Sequence, residues 1–518
     1  MVRDIKVVIG ASYGDEGKGF MTNYFCRNAD KPCITVLHNG GSQRGHTVIS
    51  KDGFRHVFHH LSSGTFSGSD TYFADSFIIN PLVFSEEHAE IKPDTKIYCS
   101  IDCMWSTPFD MMLNQIIEDS RGDKRHGSCG YGIWETIVRY KNSDTMPFRD
   151  FMFLDADSKT AYLKKIRDKY MPERLKSIGI YRIPEKWHDI IQNDNLITGF
   201  INDCIFFDNS VIYSDTGVLE NYPCVIFEGG QGLLLSQSET NPHTTPSYTG
   251  AENPVRIIKT LNSTNNIEVC YVTRSYLTRH GAGQFPYECT KAEINPDMTD
   301  KTNVPNDYQG AIRYGKINIP ELRQRIINDF TKFSGLENTV LSVAVTHLNE
   351  TDGKLFTSDG MENPENIGIK KIYKFYSEIN IFDRRKMEYD FRYISPKRCQ
   401  EIDDMKIPCP WAWKEYPRFF VMNRNGKKYL SSEDEKIVFT QAFIPIPADA
   451  DEYDDYYLLV KDDKYYLFTY KKISQQVKIK YGIVYSNIIE EIEPNQEIDN
   501  CNEKDEILKI ISELIKKS

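Results

Sequence analysis

The segment Gly14-Asp15-Glu16-Gly17-Lys18-Gly19 puts three glycines, a lysine and two carboxylates within six residues. A phosphate loop of the G-x-x-x-x-G-K-[ST] type would need glycine at position 12 and a hydroxyl residue after the lysine, and those places hold Ser12 and Gly19. Glycines let backbone amides approach phosphate oxygens, a helix N-terminus adds a favourable dipole, and Lys18 supplies a point charge for a nucleotide's outer phosphates. Acids add nothing to such a cradle, so Asp15 and Glu16 call for chemistry beyond holding phosphate. Three further segments follow in order: NGGSQRGHT at 39–47, FEGGQG at 227–232 and THLN at 346–349. A glycine loop followed by Gly-His-Thr, Gly-Gln-Gly and a polar strand end is a far more specific signal than one loop alone.

Each segment ends a short apolar run. IKVVIG at 5–10 reads as a buried strand feeding a helix over 18–26, and CITVL at 33–37 as a second strand. CVIFEGG at 224–230, EVCYVT at 268–273 and VLSVAVTHL at 340–348 read the same way, with helix-like stretches at 107–119 and 159–175. The fold class implied is α/β, a mostly parallel sheet with a P-loop-like nucleotide-binding core whose ligands lie at the carboxyl ends of the strands. After residue 355 tyrosine, lysine and acid become dense and the glycine loops stop. YYLLVKDDKYYLFTYKK at 456–472 reads as two aromatic strands around a polar turn, and Ile507, Leu508, Ile511, Leu514 and Ile515 line one side of a closing amphipathic helix. The domains expected are a catalytic core over 1–355 and a divergent, strand-rich region over 356–518.

With 518 residues, 40% of them hydrophobic and 26% charged, the chain buries a generous core, and no apolar run is long enough to span a bilayer. The start, MVRDIKVVIGAS, reads as a first strand and not a signal peptide, which points to a cytoplasmic protein. Twelve cysteines without a C-x-x-C read as reduced core residues. A net charge of −11 argues against nucleic-acid binding, and the basic cluster Arg384-Arg385-Lys386 and the acidic run at 449–455 read as solvated surface.

The ordered motifs resemble those of adenylosuccinate synthetases. GDEGKG stands unbroken at 14–19; GGSQRGHT at 40–47 is similar to the family's Gly-Gly-x-Asn-Ala-Gly-His-Thr, with Gln43 and Arg44 at the Asn and Ala positions. HHLSSG at 59–64, GSCGYGI at 127–133, FEGGQG at 227–232 and LTRHGAGQFPYE at 277–288 resemble its His-Leu-x-Pro-Ser-Gly, Thr-Thr-Gly-Arg-Gly-Ile, Glu-Gly-Ala-Gln-Gly and Ser-Thr-Arg-Val-Gly-Ala-Gly-Pro-Phe-Pro-Thr-Glu. The resemblance implies a magnesium-dependent ligase of purine biosynthesis, a cytoplasmic homodimer that joins L-aspartate to C6 of a 6-oxopurine nucleotide through a 6-phosphoryl intermediate. It makes Asp15 the base and His46 the general acid, with Asp15 and Gly45 on the metal. Gly14, Glu16, Gly17, Lys18, Gly19, Gly45, Thr47, His347 and Asn349 would hold the triphosphate. Gln43, Ser128, Cys129, Gln231 and Thr245 would hold the purine nucleotide, with Arg139 matching the family's phosphate-binding arginine contributed by a second subunit.

Two departures bear on substrate. Where the family reads guanine with Lys-x-Asp, this chain has His347-Leu348-Asn349. An asparagine amide presents one acceptor and two donors and suits adenine, which favours ATP or dATP over GTP. The family's arginine-rich aspartate loop is replaced by TNVPNDYQGAIRYG at 302–315, where Thr302, Asn303, Gln309 and Arg313 are the candidates for aspartate contacts. That version resembles the phage branch, 2-aminoadenylosuccinate synthetases acting on dGMP. The branch typically replaces the motif aspartate by serine, so retention of Asp15 favours IMP or dIMP. The alternatives are the dGMP-using enzyme and a nucleotide-sensing module without turnover.

Overall fold

The computed structural model describes residues 2–376 apart from 30–31, 51–53, 123–126, 143–144, 239–242, 263–264 and 299–310, together with the backbone of seven strands between residues 419 and 498. Two compact units divide the chain, Met1–Asn380 and Ile381–Ser518.

In the first unit, β1 (Arg3–Gly10) feeds helix α1 (Lys18–Arg27), followed by β2 (Cys33–Leu37), the hairpin β3 (His46–Ile49) and β4 (Arg55–Phe58), and β5 (Asp70–Phe73). Next come helix α2 (Pro81–Ile91), β6 (Ile97–Cys99), helices α3 (Pro108–Arg121) and α4 (Ile133–Asn142), β7 (Ile212–Tyr213), β8 (Cys224–Gly232) and β9 (Asn265–Arg274). The unit is completed by β10 (Leu277–Arg279), β11 (Glu288–Cys289), β12 (Arg313–Gly315), β13 (Thr339–Thr346), the pair β14 (Leu355–Thr357) and β15 (Gly360–Glu362), and β16 (Lys371–Lys374). Nine strands form one sheet in the order β16-β13-β9-β1-β8-β2-β5-β6-β7, every pair parallel. Central strands covered on both faces must be apolar throughout, and all five residues of β2 are buried. Phe58, Phe73, Phe77, Phe84 and Trp105 anchor the core cluster beside β5 and α2–α3, while Phe20, Tyr24 and Phe25 of α1 pack with Tyr373 and Phe375.

The boundary expected at residue 355 falls inside this unit. Tyr373 lies in the edge strand β16 and buries its ring against α1, so the core needs the chain beyond 355 to close. Among the described cysteines nine are free, seven of them buried. In the second unit, Asp455–Lys461 and Lys464–Ile473 pair antiparallel, and Lys464–Ile473 pairs in turn with Gln476–Tyr485. The basic cluster at 384–386, all but the last residue of the acidic run at 449–455 and the closing helix lie outside the described residues.

Candidate active site

The carboxyl ends of β1, β2, β8, β9 and β13 meet at one rim, and the glycine-rich segments lie there. Gly17 caps α1 at φ 92°, a left-handed backbone that favours glycine, and a side chain on it would meet Thr346 at the end of β13. The Thr346 hydroxyl donates to the Glu16 carbonyl over 2.8 Å, fastening the loop to β13. A Cβ on Gly19 would sit 2.6 Å from the His46 Cβ, so only glycine lets α1 start this close to β3.

Lys18 is buried, donates to the Gly14 carbonyl and lies 3.6 Å from Glu16, whose carboxylate accepts from the Ser12 amide. Burial raises the Glu16 carboxyl and lowers the Lys18 ammonium; Glu16, Asp15 and Glu228 pull the lysine back toward its charged form. Arg325 reaches from the helix Ile319–Phe330 to the Ala11 carbonyl at 2.7 Å and Ser12 Oγ at 3.1 Å, buttressing the loop from behind. Asp15 has its carbonyl bonded by Arg274 and its Oδ2 3.5 Å from His280 Nε2.

His46 Nδ1 lies 2.5 Å from Glu228 Oε1, and the same carboxylate accepts from the Ser63 hydroxyl and amide and faces Arg44 at 3.7 Å. Burial opposes ionisation of Glu228, but Arg44 and His46 outweigh it and hold the carboxyl at about 2. Burial pushes His46 down to about 4 against the pull of Glu228. The ionised carboxylate accepts from Nδ1, so Nε2 is the nitrogen presented to the site. The sequence reading left Glu228 without a role, although it stands in FEGGQG; its partner His46 lies 182 residues away. Arg44 is no surface residue: it is buried, donates to the His59 and Leu61 carbonyls and stacks over Phe77. From α2, Glu87 accepts from the amides of His59, His60 and Leu61, fixing the loop that carries Ser63.

Gln43 and Gln231 converge above Gly40. Both amide heteroatoms of Gln43 and Oε1 of Gln231 are buried without a protein partner, and Gln231 has a φ of 57°. Orphaned buried amides and a strained backbone mark a place built for a polar ligand. Asn39 pairs with the backbone of Gly230 through both amide groups, at 2.8 and 3.1 Å, which sets β2 and β8 ends side by side. Ser128 Oγ accepts from Asn114, and burial pushes the Cys129 thiol up to about 11, leaving it a weak, protonated donor. Thr245 is half-buried, its amide on the Leu235 carbonyl. Thr47 lies on β3 directly after His46, with Gly45 exposed just before it. His347 takes a left-handed φ of 58° after β13, while Asn349 donates to Glu350 over 3.1 Å.

Two of the expected contact residues have partners within the chain. Arg139 is buried on α4, forks onto Asp110 of α3 with two bonds of 2.9 Å and donates to the Trp105 carbonyl, so its guanidinium braces the core. Arg313 forks onto Glu288 and donates to Gly281 and Gly283 carbonyls, so its carboxylate partner is the chain's own. Thr302, Asn303 and Gln309 lie outside the described residues.

The buried histidines carry a pH signature. Burial holds His38 and His60 at about 3 and His46 at about 4. These folded values lie below the unfolded 6.5, so stability is fully present above pH 6.5 and is lost as pH falls toward 4. Each histidine contributes up to about 1.4 kcal/mol per pH unit in that window. His56 runs the other way: Glu87 and Glu90 outweigh burial and raise it, so its contribution is lost only as pH rises above 6.5. Urea unfolding midpoints should therefore drop steeply between pH 6.5 and 5; a flat profile would show the histidines to be solvated.

A model of the adenylosuccinate synthetase family matches residues 7–331. The adenylosuccinate synthetase of Halothermothrix orenii is 26% identical over 352 residues, 65% of this chain and 78% of that one. The organellar chromatophore adenylosuccinate synthetase of Paulinella chromatophora is 29% identical over 374 residues, 68% of this chain and 81% of that one. Among solved structures, the fully ligated adenylosuccinate synthetase from Plasmodium falciparum is similar in fold, with a TM-score of 0.52 at 20% identity over 67% of this chain and 77% of that one.

Proposed function

Since the chain belongs to the adenylosuccinate synthetase family and is a ligase, we propose that it joins L-aspartate to C6 of IMP or dIMP at the expense of ATP or dATP, giving adenylosuccinate or its deoxy form. The observation that carries this reading is the convergence at one rim of a carboxylate (Asp15), a buried lysine (Lys18) and a histidine held by an ionised carboxylate (His46 on Glu228).

The lactam oxygen of a 6-oxopurine is a poor leaving group and must first be phosphorylated. Asp15 takes the N1 proton, which places negative charge on O6 for attack at the γ-phosphate. Lys18 and the loop amides hold the triphosphate in line. His46, oriented by Glu228 through Nδ1, presents Nε2 to the transferred group; once Nε2 has taken a proton from solvent beside the bound phosphates, it donates there as the general acid and neutralises charge developing in the transition state. Gln43 and Gln231 offer the unpaired amides that fix the purine.

The family depends on magnesium. Among the described residues no three His, Cys, Asp or Glu side chains gather into a metal cage. Magnesium in nucleotide sites takes one or two carboxylates and the substrate's phosphates, and Asp15, 29% exposed at the loop mouth, with the Gly45 carbonyl, fits that donor set. When bound, the ion neutralises phosphate charge. The family typically uses GTP; the reading of ATP or dATP here rests on Asn349, whose amide keeps Oδ1 and one hydrogen for an adenine edge beyond its bond to Glu350. The proposal takes the family's typical cytoplasmic, homodimeric setting, and no helix among the described residues is long and apolar enough to cross a membrane.

The test pairs each of IMP, dIMP, GMP and dGMP with ATP or GTP, in the presence of aspartate and magnesium. It follows phosphate release together with the absorbance of the succino-product. Turnover of IMP or dIMP with ATP is expected. Turnover of dGMP alone would select the phage-type reaction, and no product in any pairing would leave a nucleotide-binding module.

A further inference from the structure

His56 stands on β4 opposite Val48 of β3, the strand that begins with His46. Its ring is buried between two carboxylates of α2: Nε2 lies 3.1 Å from Glu87 Oε1, and Nδ1 lies 3.1 Å from Glu90 Oε1. Phe58, Phe54 and Phe66 close around it, with ring centroids 4.8, 6.3 and 6.4 Å from its own. A carboxylate oxygen accepts, so each ring nitrogen donates, and an imidazole that donates at both nitrogens is charged. Burial draws the ring down, but Glu87 and Glu90 outweigh it and raise it above its ordinary value. Among the described residues these two, both from α2, are the charges that act on the ring; β3 sets apolar Val48 opposite it and the turn at 65–67 contributes Phe66.

The same Glu87 carboxylate accepts from the His59 and His60 amides at 2.7 and 2.8 Å and from the Leu61 amide, while Arg44 holds the His59 and Leu61 carbonyls. Two residues further on, the Ser63 amide and hydroxyl hold Glu228, whose Oε1 faces His46 Nδ1. We propose that His56 is a positioning residue: as an imidazolium between Glu87 and Glu90 it fixes the 59–63 loop, and through Ser63 and Glu228 it sets the ring of His46 for phosphoryl transfer. The inference rests on the reading of His46 as the general acid. Neutral His56 donates to one carboxylate at most, and the buried charge of Glu87 loses its cation. The loop that Glu87 holds then shifts, and Ser63 carries Glu228 and the His46 ring with it. That ring acts in the transition state, so kcat falls while KM changes little.

The test measures kcat and KM from pH 6 to 9 on the full chain, with aspartate, magnesium and whichever nucleotide pairing it turns over fastest. It compares the natural protein with His56→Gln, uncharged at every pH, and Glu90→Gln, which removes one carboxylate at a position more than half exposed. The natural kcat should fall as pH rises above 6.5 and His56 loses its proton. In His56→Gln, kcat at pH 6.5 should be about tenfold lower with KM nearly unchanged, and the alkaline fall should be gone; a full 1 Å displacement of a reacting group costs about 10²-fold. Glu90→Gln should keep the natural kcat at pH 6.5 and begin its alkaline fall roughly half a pH unit lower, because solvent screens this carboxylate. It carries the test alone if His56→Gln does not fold. Nitrogen-15 spectra of the histidine rings should show both nitrogens of His56 protonated at pH 6.5. A neutral ring there, an alkaline limb unmoved in Glu90→Gln, or a His56→Gln enzyme with the natural kcat overturns the assignment and leaves the ligase reading standing. Absence of turnover in every pairing overturns that reading, and the assignment with it.

Discussion

Asp15→Asn lowers kcat by about 10²- to 10⁴-fold while triphosphate binding stays largely intact, if the carboxylate is the base; that span is the usual contribution of a positioned general base. The substitution is nearly isosteric, so the loop has no reason to move. What it removes is basicity. An amide cannot take a proton from N1, and without that step O6 stays a neutral lactam oxygen, too weak a nucleophile for the γ-phosphate. On the proposed reading triphosphate affinity rests on Lys18, on the amides at the start of α1 and on the loop that Thr346 fastens through Glu16, none of which the change touches. Steady-state turnover and equilibrium titration with ATP separate the two effects, and turnover equal to that of the natural protein would remove Asp15 from the mechanism.

Glu228→Gln should cost on the order of 3–5 kcal/mol of folding stability, the usual penalty for removing one partner of a buried ion pair, and most of the turnover as well. The side chain is 1% exposed, so solvent offers Arg44 little replacement for the lost charge. Glutamine preserves volume, so no cavity confuses the measurement. It brings an NH2 group that must face the Arg44 guanidinium or the His46 ring, and each of those already donates toward Glu228. Denaturant unfolding reads the first effect. The double variant Glu228→Gln with Arg44→Met separates it from the second: the two stability losses should be less than additive, because each single change leaves the other buried charge unpaired, while turnover stays lost because His46 still lacks the acceptor that orients its ring. Recovery of turnover in the double variant would make Glu228 a structural residue only. Lowered pH acts on the same group, since its folded value of about 2 lies below the usual 4.5; the stability it contributes is present above 4.5 and is lost as pH falls toward 2.

The parts of the site that were readable in the sequence are those whose signal is local. Asp15, Lys18 and His46 sit in glycine-rich turns directly after apolar runs, and the same runs became β1, β2, β8, β9 and β13 almost residue for residue. The parts that escaped depend on distant pairing. Nothing near Arg139 announces that its fork belongs to Asp110, 29 residues upstream on another helix, and an arginine at a family-like spacing read instead as a phosphate ligand. Arg313 read as a carboxylate binder, which it is, but antiparallel pairing of β11 with β12 brings Glu288 within its reach. The domain boundary was set where composition changes, whereas the sheet closes only once Tyr373 and Phe375 have packed on α1.

Arg44 limits what its position can accept. Its guanidinium donates to the carbonyls of His59 and Leu61 and lies beside Glu228. The alanine usual in the family would open a void the size of the side chain here and strand both carbonyls in the interior, each loss costing about 1–3 kcal/mol. Residue 44 can therefore change without loss of stability only together with the 59–61 loop.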